Sequence, residues 1–96
     1  MLNLTIRVLD PKEIRKRRII EIREIERRIK EIERQIEQYR QKYGMDFDEF
    51  FELTEGNIGK LIKMGFDPDE ILRDVSEWED LIYELDELKK KVKSLE

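Results

Sequence analysis

The chain has 96 residues, with 20 Lys and Arg against 24 Asp and Glu and a hydrophobic share of 39%, so it supports one small core and a single domain. Charged residues make up 46% of it, which leaves so little to bury that self-association or a partner is expected. With no Cys and no His, disulfides, thiol chemistry, Ser-His triads, imidazole acid–base catalysis and the common zinc sites are excluded.

No apolar run is longer than three residues, so neither a signal peptide nor a membrane span is expected, and a cytoplasmic location follows as the expectation. Ala is absent, Ile occurs 13 times and charge is dense, the bias expected of a thermophile that relies on ion-pair networks. Long stretches of helix formers, with Pro11 and Pro68 as the only prolines, predict an all-α body.

Residues 2 to 9 alternate, with Leu2, Leu4, Ile6 and Val8 on one side and Asn3, Thr5, Arg7 and Leu9 on the other, which predicts a short β-strand. A lone strand cannot satisfy its own backbone groups, so it is expected to pair outside its own chain. Asp10-Pro11-Lys12-Glu13 then reads as a helix start: Asp10 can cap free amides, Pro11 suits the first helical position and Glu13 the returning carboxylate.

Nothing breaks the pattern until Gly44, and a helix from Pro11 to about Tyr43 would be ~50 Å long, a length suited to a coiled coil or a long hairpin. Ile22, Ile25, Ile29, Ile32, Ile36, Tyr39 and Tyr43 step by three and four and form a seam. Glu13 with Arg17, Glu24 with Arg28 and Glu26 with Lys30 are spaced for i,i+4 ion pairs, each adding ~0.2–0.5 kcal/mol. Toward the start the seam fails, because Arg15 and Arg18 occupy core positions while Ile14, Ile19 and Ile20 fall outside them. These first turns are therefore expected to meet a different surface.

Asp46-Phe47-Asp48-Glu49 repeats the capping pattern and opens a short helix with Phe47, Phe50, Phe51 and Leu53, ending near Gly56-Asn57. A further helical turn from Ile58 to Met64 stops at Gly65, and the apolar residues of both are expected to plug the end of the hairpin. Asp67-Pro68-Asp69-Glu70 launches the last helix. Ile71, Trp78, Leu85 and Val92 repeat every seven, Leu81, Leu88 and Leu95 take the second seam position, and Val75 and Ile82 widen the stripe. The predicted organisation is a single domain: strand or arm over 1–10, long helix over 11–43, short helices over 44–66 and C-terminal helix over 67–96, folded as an antiparallel helical hairpin. Residues 1 to 43 carry a net charge of +5, residues 44 to 86 a net −11 and the last ten +2, which favours antiparallel pairing of the arms and two unlike partner surfaces.

Chemistry has few candidates. Gly56-Asn57-Ile58-Gly59-Lys60 lacks the spacing, the Ser or Thr and the preceding strand of a phosphate loop. Asp46, Asp48, Glu49, Glu52 and Asp67, Asp69, Glu70, Asp74 could offer oxygen ligands, but they lack EF-hand spacing and read as helix caps. Thr5, Thr54, Ser76 and Ser94 have no neighbouring base. No enzyme activity, cofactor or metal is expected.

The basic cluster of Lys12, Arg15, Lys16, Arg17 and Arg18 could bind phosphates together with Asn3, Thr5 and Arg7, although interleaved Glu13 and Glu21 favour a solvated, ion-paired face. Trp78 reads first as core and second as a partner anchor. Ile82 and Tyr83 beside it look like a helix-in-groove ligand or residues covered by the plug.

Lys42 to Phe50 (KYGMDFDEF), a short acidic connection and Ser76-Glu77-Trp78-Glu79 opening a Leu-rich terminal helix resemble small archaeal antitoxins of toxin–antitoxin pairs, over roughly residues 20 to 95. The resemblance implies a protein that wraps and silences a small ribonuclease-type toxin. The N-terminal strand and helix also resemble ribbon-helix-helix regulators, in which Asn3, Thr5 and Arg7 would read DNA, but those break after a first helix of about ten residues, and this chain continues to Gly44.

The expectation is therefore a non-enzymatic interaction protein that binds a protein partner through Ile14, Arg15, Arg18, Ile19, Ile20, Trp78, Ile82 and Tyr83. Lys16 and Arg17 would help steer an acidic surface. A homo-oligomeric coiled coil, suggested by Ile at both seam positions, is one alternative. A DNA-binding regulator using Asn3, Thr5, Arg7, Lys12, Lys16 and Arg17 is the other.

Overall fold

Asp10 opens the first helix: its Oδ1 accepts the Lys12 backbone N–H at 3.0 Å, and Pro11 follows at the first position, where a missing N–H costs nothing. The computed structural model describes residues 10–96, and the expected strand over 2–9 lies outside the described residues. Helix α1 (Pro11–Tyr43) ends at Gly44, whose φ of 71° allows its N–H to donate to the Arg40 carbonyl at 2.7 Å. Helices α2 (Phe47–Gly56) and α3 (Ile58–Lys63) follow. The turn after α3 is a Schellman motif, with Phe66 N–H to the Leu61 carbonyl at 3.2 Å, Gly65 N–H to that of Ile62 at 2.9 Å, and Gly65 at φ 103°. Asp67 accepts the Glu70 N–H at 3.0 Å and starts α4 (Pro68–Leu95).

All described secondary structure is helical, in agreement with the all-α expectation. Helices α1 and α4 run antiparallel, as their cross-links show: Tyr39 meets Glu77, Arg28 meets Glu84 and Glu21 meets Lys91, one number falling as the other rises. The result is a rod of 70 × 24 × 17 Å.

Its core lies at one end. Tyr43, Phe50, Leu61, Ile71 and Trp78 form a buried cluster, so that α1, α2, α3 and α4 each contribute to it. Trp78 stacks on Tyr39 at 5.5 Å and meets Phe47 edge-on at 5.4 Å, while Tyr43 lies 4.2 Å from Phe50. Three layers meet here, since α2 packs on α4 and α3 on α2. Farther along only two helices remain. Ile25 and Ile32 are buried, whereas Ile22, Ile29, Leu85, Leu88 and Val92 stay half-buried because nothing covers the second side of the seam.

Candidate protein-interaction surface

Every residue from Asp10 to Glu21 is exposed, and Ile22 is the first to reach the seam. The outermost bridge of the hairpin is Lys91 to Glu21 at 3.8 Å. Helix α4 has four more residues after Lys91, ~6 Å of helix, so α1 projects past its partner from about Arg17 outward. The overhang carries Ile14, and Ile19 and Ile20 follow beside the last turn of α4, at 41, 50 and 48% exposure. Lys12, Arg15, Lys16, Arg17 and Arg18 interleave with them, and none forms an ion pair within the described residues. The helix continues this far on the strength of its N-cap, Pro11 and good helix formers, without a partner beneath it.

The expected partner-binding residues thus divide. Ile14, Arg15, Arg18, Ile19 and Ile20 lie together on the overhang and the turn of α1 next to it, with Lys12, Lys16 and Arg17. Asn3, Thr5 and Arg7 lie outside the described residues. Trp78 is a correction: at 0% exposure it belongs to the core and presents nothing to a partner. Its Nε1 is buried without a hydrogen-bond acceptor in the protein, so packing alone holds it there. Ile82 is half-buried against the core cluster, which leaves Tyr83, 69% exposed, as the accessible member of the pair, about a rod's middle away from the overhang.

Several exposed apolar side chains had been expected inside the plug. Phe51, Ile62 and Met64 all face outward, because helices of ten and six residues bury only one face. Leu72, next to buried Ile71, is also exposed. Its position one step off the seam is the signal that could have found it, since a 100° turn carries it away from α1.

Behind the core lies the one polar knot of the interior. Asp74 is buried, and its Oδ2 accepts from Tyr43 Oη at 2.5 Å and from Lys42 Nζ at 2.6 Å, while Lys42 also bridges to Glu70. Burial, then the bond to Asp74, pushes the Tyr43 hydroxyl well above the ordinary tyrosine range. Burial followed by the bond to Glu77 does the same for Tyr39. For Lys42, burial pulls downward, but the bonds to Asp74 and Glu70 outweigh it and the net shift is up. These bonds tie α1 to α4 through Lys42, Tyr43 and Asp74 and through Tyr39 and Glu77.

Four members of the acidic sets are taken up in structure, while Asp48, Glu49, Glu52 and Asp69 stay unpaired within the described residues. Asp67 caps α4, Glu70 and Asp74 hold Lys42, and Asp46 reaches back to Arg40 at 3.0 Å instead of capping α2. No group of three or more acidic residues among the described residues is arranged to hold a metal ion. No described helix is long and apolar enough to cross a membrane. The expected i,i+4 pairs are replaced at Arg28, which makes a two-pronged bond to Glu84 across the hairpin at 2.8 and 2.9 Å. No family model, curated protein or solved structure matches the chain.

Proposed function

We propose that this chain is a non-enzymatic protein-binding module, of the antitoxin kind, whose projecting first turns of α1 seize an acidic partner such as a small ribonuclease-type toxin. The observation that carries the reading is the open end of α1: three Ile side chains about half exposed, among five basic residues that form no ion pair within the described residues. Burying an exposed Ile contributes ~1.5–3 kcal/mol at most, so three of them supply a partner with an apolar anchor, and the surrounding charge speeds and orients encounter. Tyr83, exposed on α4, offers a second aromatic contact for a partner that wraps the rod.

The test is co-expression with the product of the adjacent reading frame. The expected result is a complex that survives purification and suppresses the neighbour's toxicity, and that Ile14→Asp with Ile20→Asp abolishes while the helical content of the chain is kept. An adjacent product that neither co-purifies nor harms the cell sinks the reading.

The unpaired state of Lys12, Arg15, Lys16, Arg17 and Arg18 favours a second reading, binding of a nucleic-acid backbone. It requires a salt-sensitive shift of the chain's own promoter that weakens on Arg17→Ala, and no shift at low salt removes it.

A further inference from the structure

Ion pairing inside the hairpin leaves its two ends with opposite debts. The cross-hairpin bridges use Arg28, Lys42, Lys89 and Lys91. On the outer part of α1, Arg15, Lys16, Arg17, Arg18, Arg23 and Arg27 have no partner within the described residues. Around the knot of short helices, Asp48, Glu49, Glu52, Glu55 and Asp69 have none either. The two poles sit near opposite ends of a rod 70 Å long. Screening acts over ~8 Å at physiological salt, so neither pole can neutralise the other within one molecule.

Each pole also exposes apolar surface, Ile14, Ile19 and Ile20 on the basic one and Phe51, Ile62 and Met64 on the acidic one. Between them the uncovered side of the seam forms a groove of about 310 Å³, floored by Ile29 and Val92 and edged by Glu26, Lys30, Glu33 and Lys89.

We infer that a second copy of this chain covers these surfaces, lying antiparallel so that the acidic knot of each copy sits on the basic overhang of the other. The antiparallel sense follows from the charges, because a parallel pair would place like poles side by side. A twofold arrangement neutralises both poles in one closed contact, whereas a head-to-tail series would leave two poles open at its ends. A side-on contact along a 70 × 24 Å face has room for the ~800 Å² per partner that a stable interface buries. This goes beyond the proposed partner binding, with which the second copy competes for the same turns of α1, and it is measured on the chain alone, so the failure of one leaves the other standing.

Sedimentation equilibrium of the full chain at micromolar concentration is expected to give twice 11.8 kDa, moving toward the single-chain mass at high salt. Arg15→Glu with Arg18→Glu, and separately Glu49→Lys with Glu52→Lys, are each expected to be monomeric, and mixing the two variants to restore a one-to-one dimer. Direction is read from disulfides in a chain without native Cys. Lys16→Cys and Glu55→Cys chains should cross-link to each other on mixing and not to themselves. A monomer at every concentration, an assembly larger than two, or a Lys16→Cys chain that links efficiently to its own kind would overturn the inference.

Discussion

Both ends of this rod carry large apolar side chains among charged ones, and they reach opposite outcomes. At the knot end, Tyr43, Phe50, Leu61, Ile71 and Trp78 are all buried to 2% exposure or less. At the open end, Ile14, Ile19 and Ile20 remain about half exposed. The difference is layers. Two helices enclose one narrow stripe, enough to bury Ile25 and Ile32, whereas a cluster of aromatic side chains needs further elements to cover it, which α2 and α3 supply at one end only. Cohesion is therefore concentrated where the chain turns, and the open end keeps its apolar residues for something else.

The largest break in that comparison is Trp78→Ala, which removes the side chain on which Tyr39, Phe47 and Phe50 rest and is expected to cost ~3–5 kcal/mol in urea unfolding. The same truncation of Ile14, measured at a dilution where the chain is monomeric, should change stability by no more than ~0.5 kcal/mol. A comparable loss at both positions would show that the open end is folded against something the rod itself provides.

Next in size is Asp74→Ala, which leaves the buried Tyr43 hydroxyl without an acceptor and Lys42 with Glu70 alone, at ~1–3 kcal/mol by the same measurement. Alkaline titration sharpens the same point. The folded state holds the Tyr39 and Tyr43 protons more tightly than the unfolded chain does, both pKa values being raised. The associated stability is fully present below the ordinary tyrosine pKa of ~10 and is lost as pH rises beyond it toward the folded values. Melting temperature should fall above that pH, and Tyr43→Phe should flatten the fall. An unchanged slope would mean that the hydroxyl is not held as described.

The smallest effect belongs to Arg28→Ala. The Arg28–Glu84 bridge is well aligned but water-exposed, so its removal should lower the melting temperature only slightly, less than either change above. Bonding to Arg28 holds the Glu84 carboxyl below its ordinary range, so what the pair contributes is present above that range and disappears as pH falls through the lowered value.

Much of the fold was legible because helix boundaries are written locally. Asp10-Pro11, Asp67-Pro68, Gly44 and Gly65 each act within a few residues, and α1 begins and ends, α3 ends and α4 begins where these signals stand. The seam residues from Ile22 to Tyr43 and from Ile71 to Leu95 all turn inward to some degree. What depended on register across the hairpin was not legible. Nothing near Arg28 announces Glu84, and nothing near Tyr43 announces Asp74, since each pair is brought together only after the helices have met. Local spacing instead suggested Glu24 for Arg28. Trp78 shows the same limit: seam position marks it as inward-facing, but only the arrival of Phe47 and Phe50 from α2 decides that it is sealed off. The overhang was legible as a failure of pattern, at Arg15 and Arg18, while which residues of α1 face α4 is decided by the register of the hairpin.

The placement of Pro11 and Leu95 at one pole has a practical corollary. A fluorescent label carried on a side chain there, or on the short helices of the opposite pole, would crowd a surface offered to other molecules, whereas the exposed Glu87 on α4 lies between the two and is the better place to anchor this protein to a sensor.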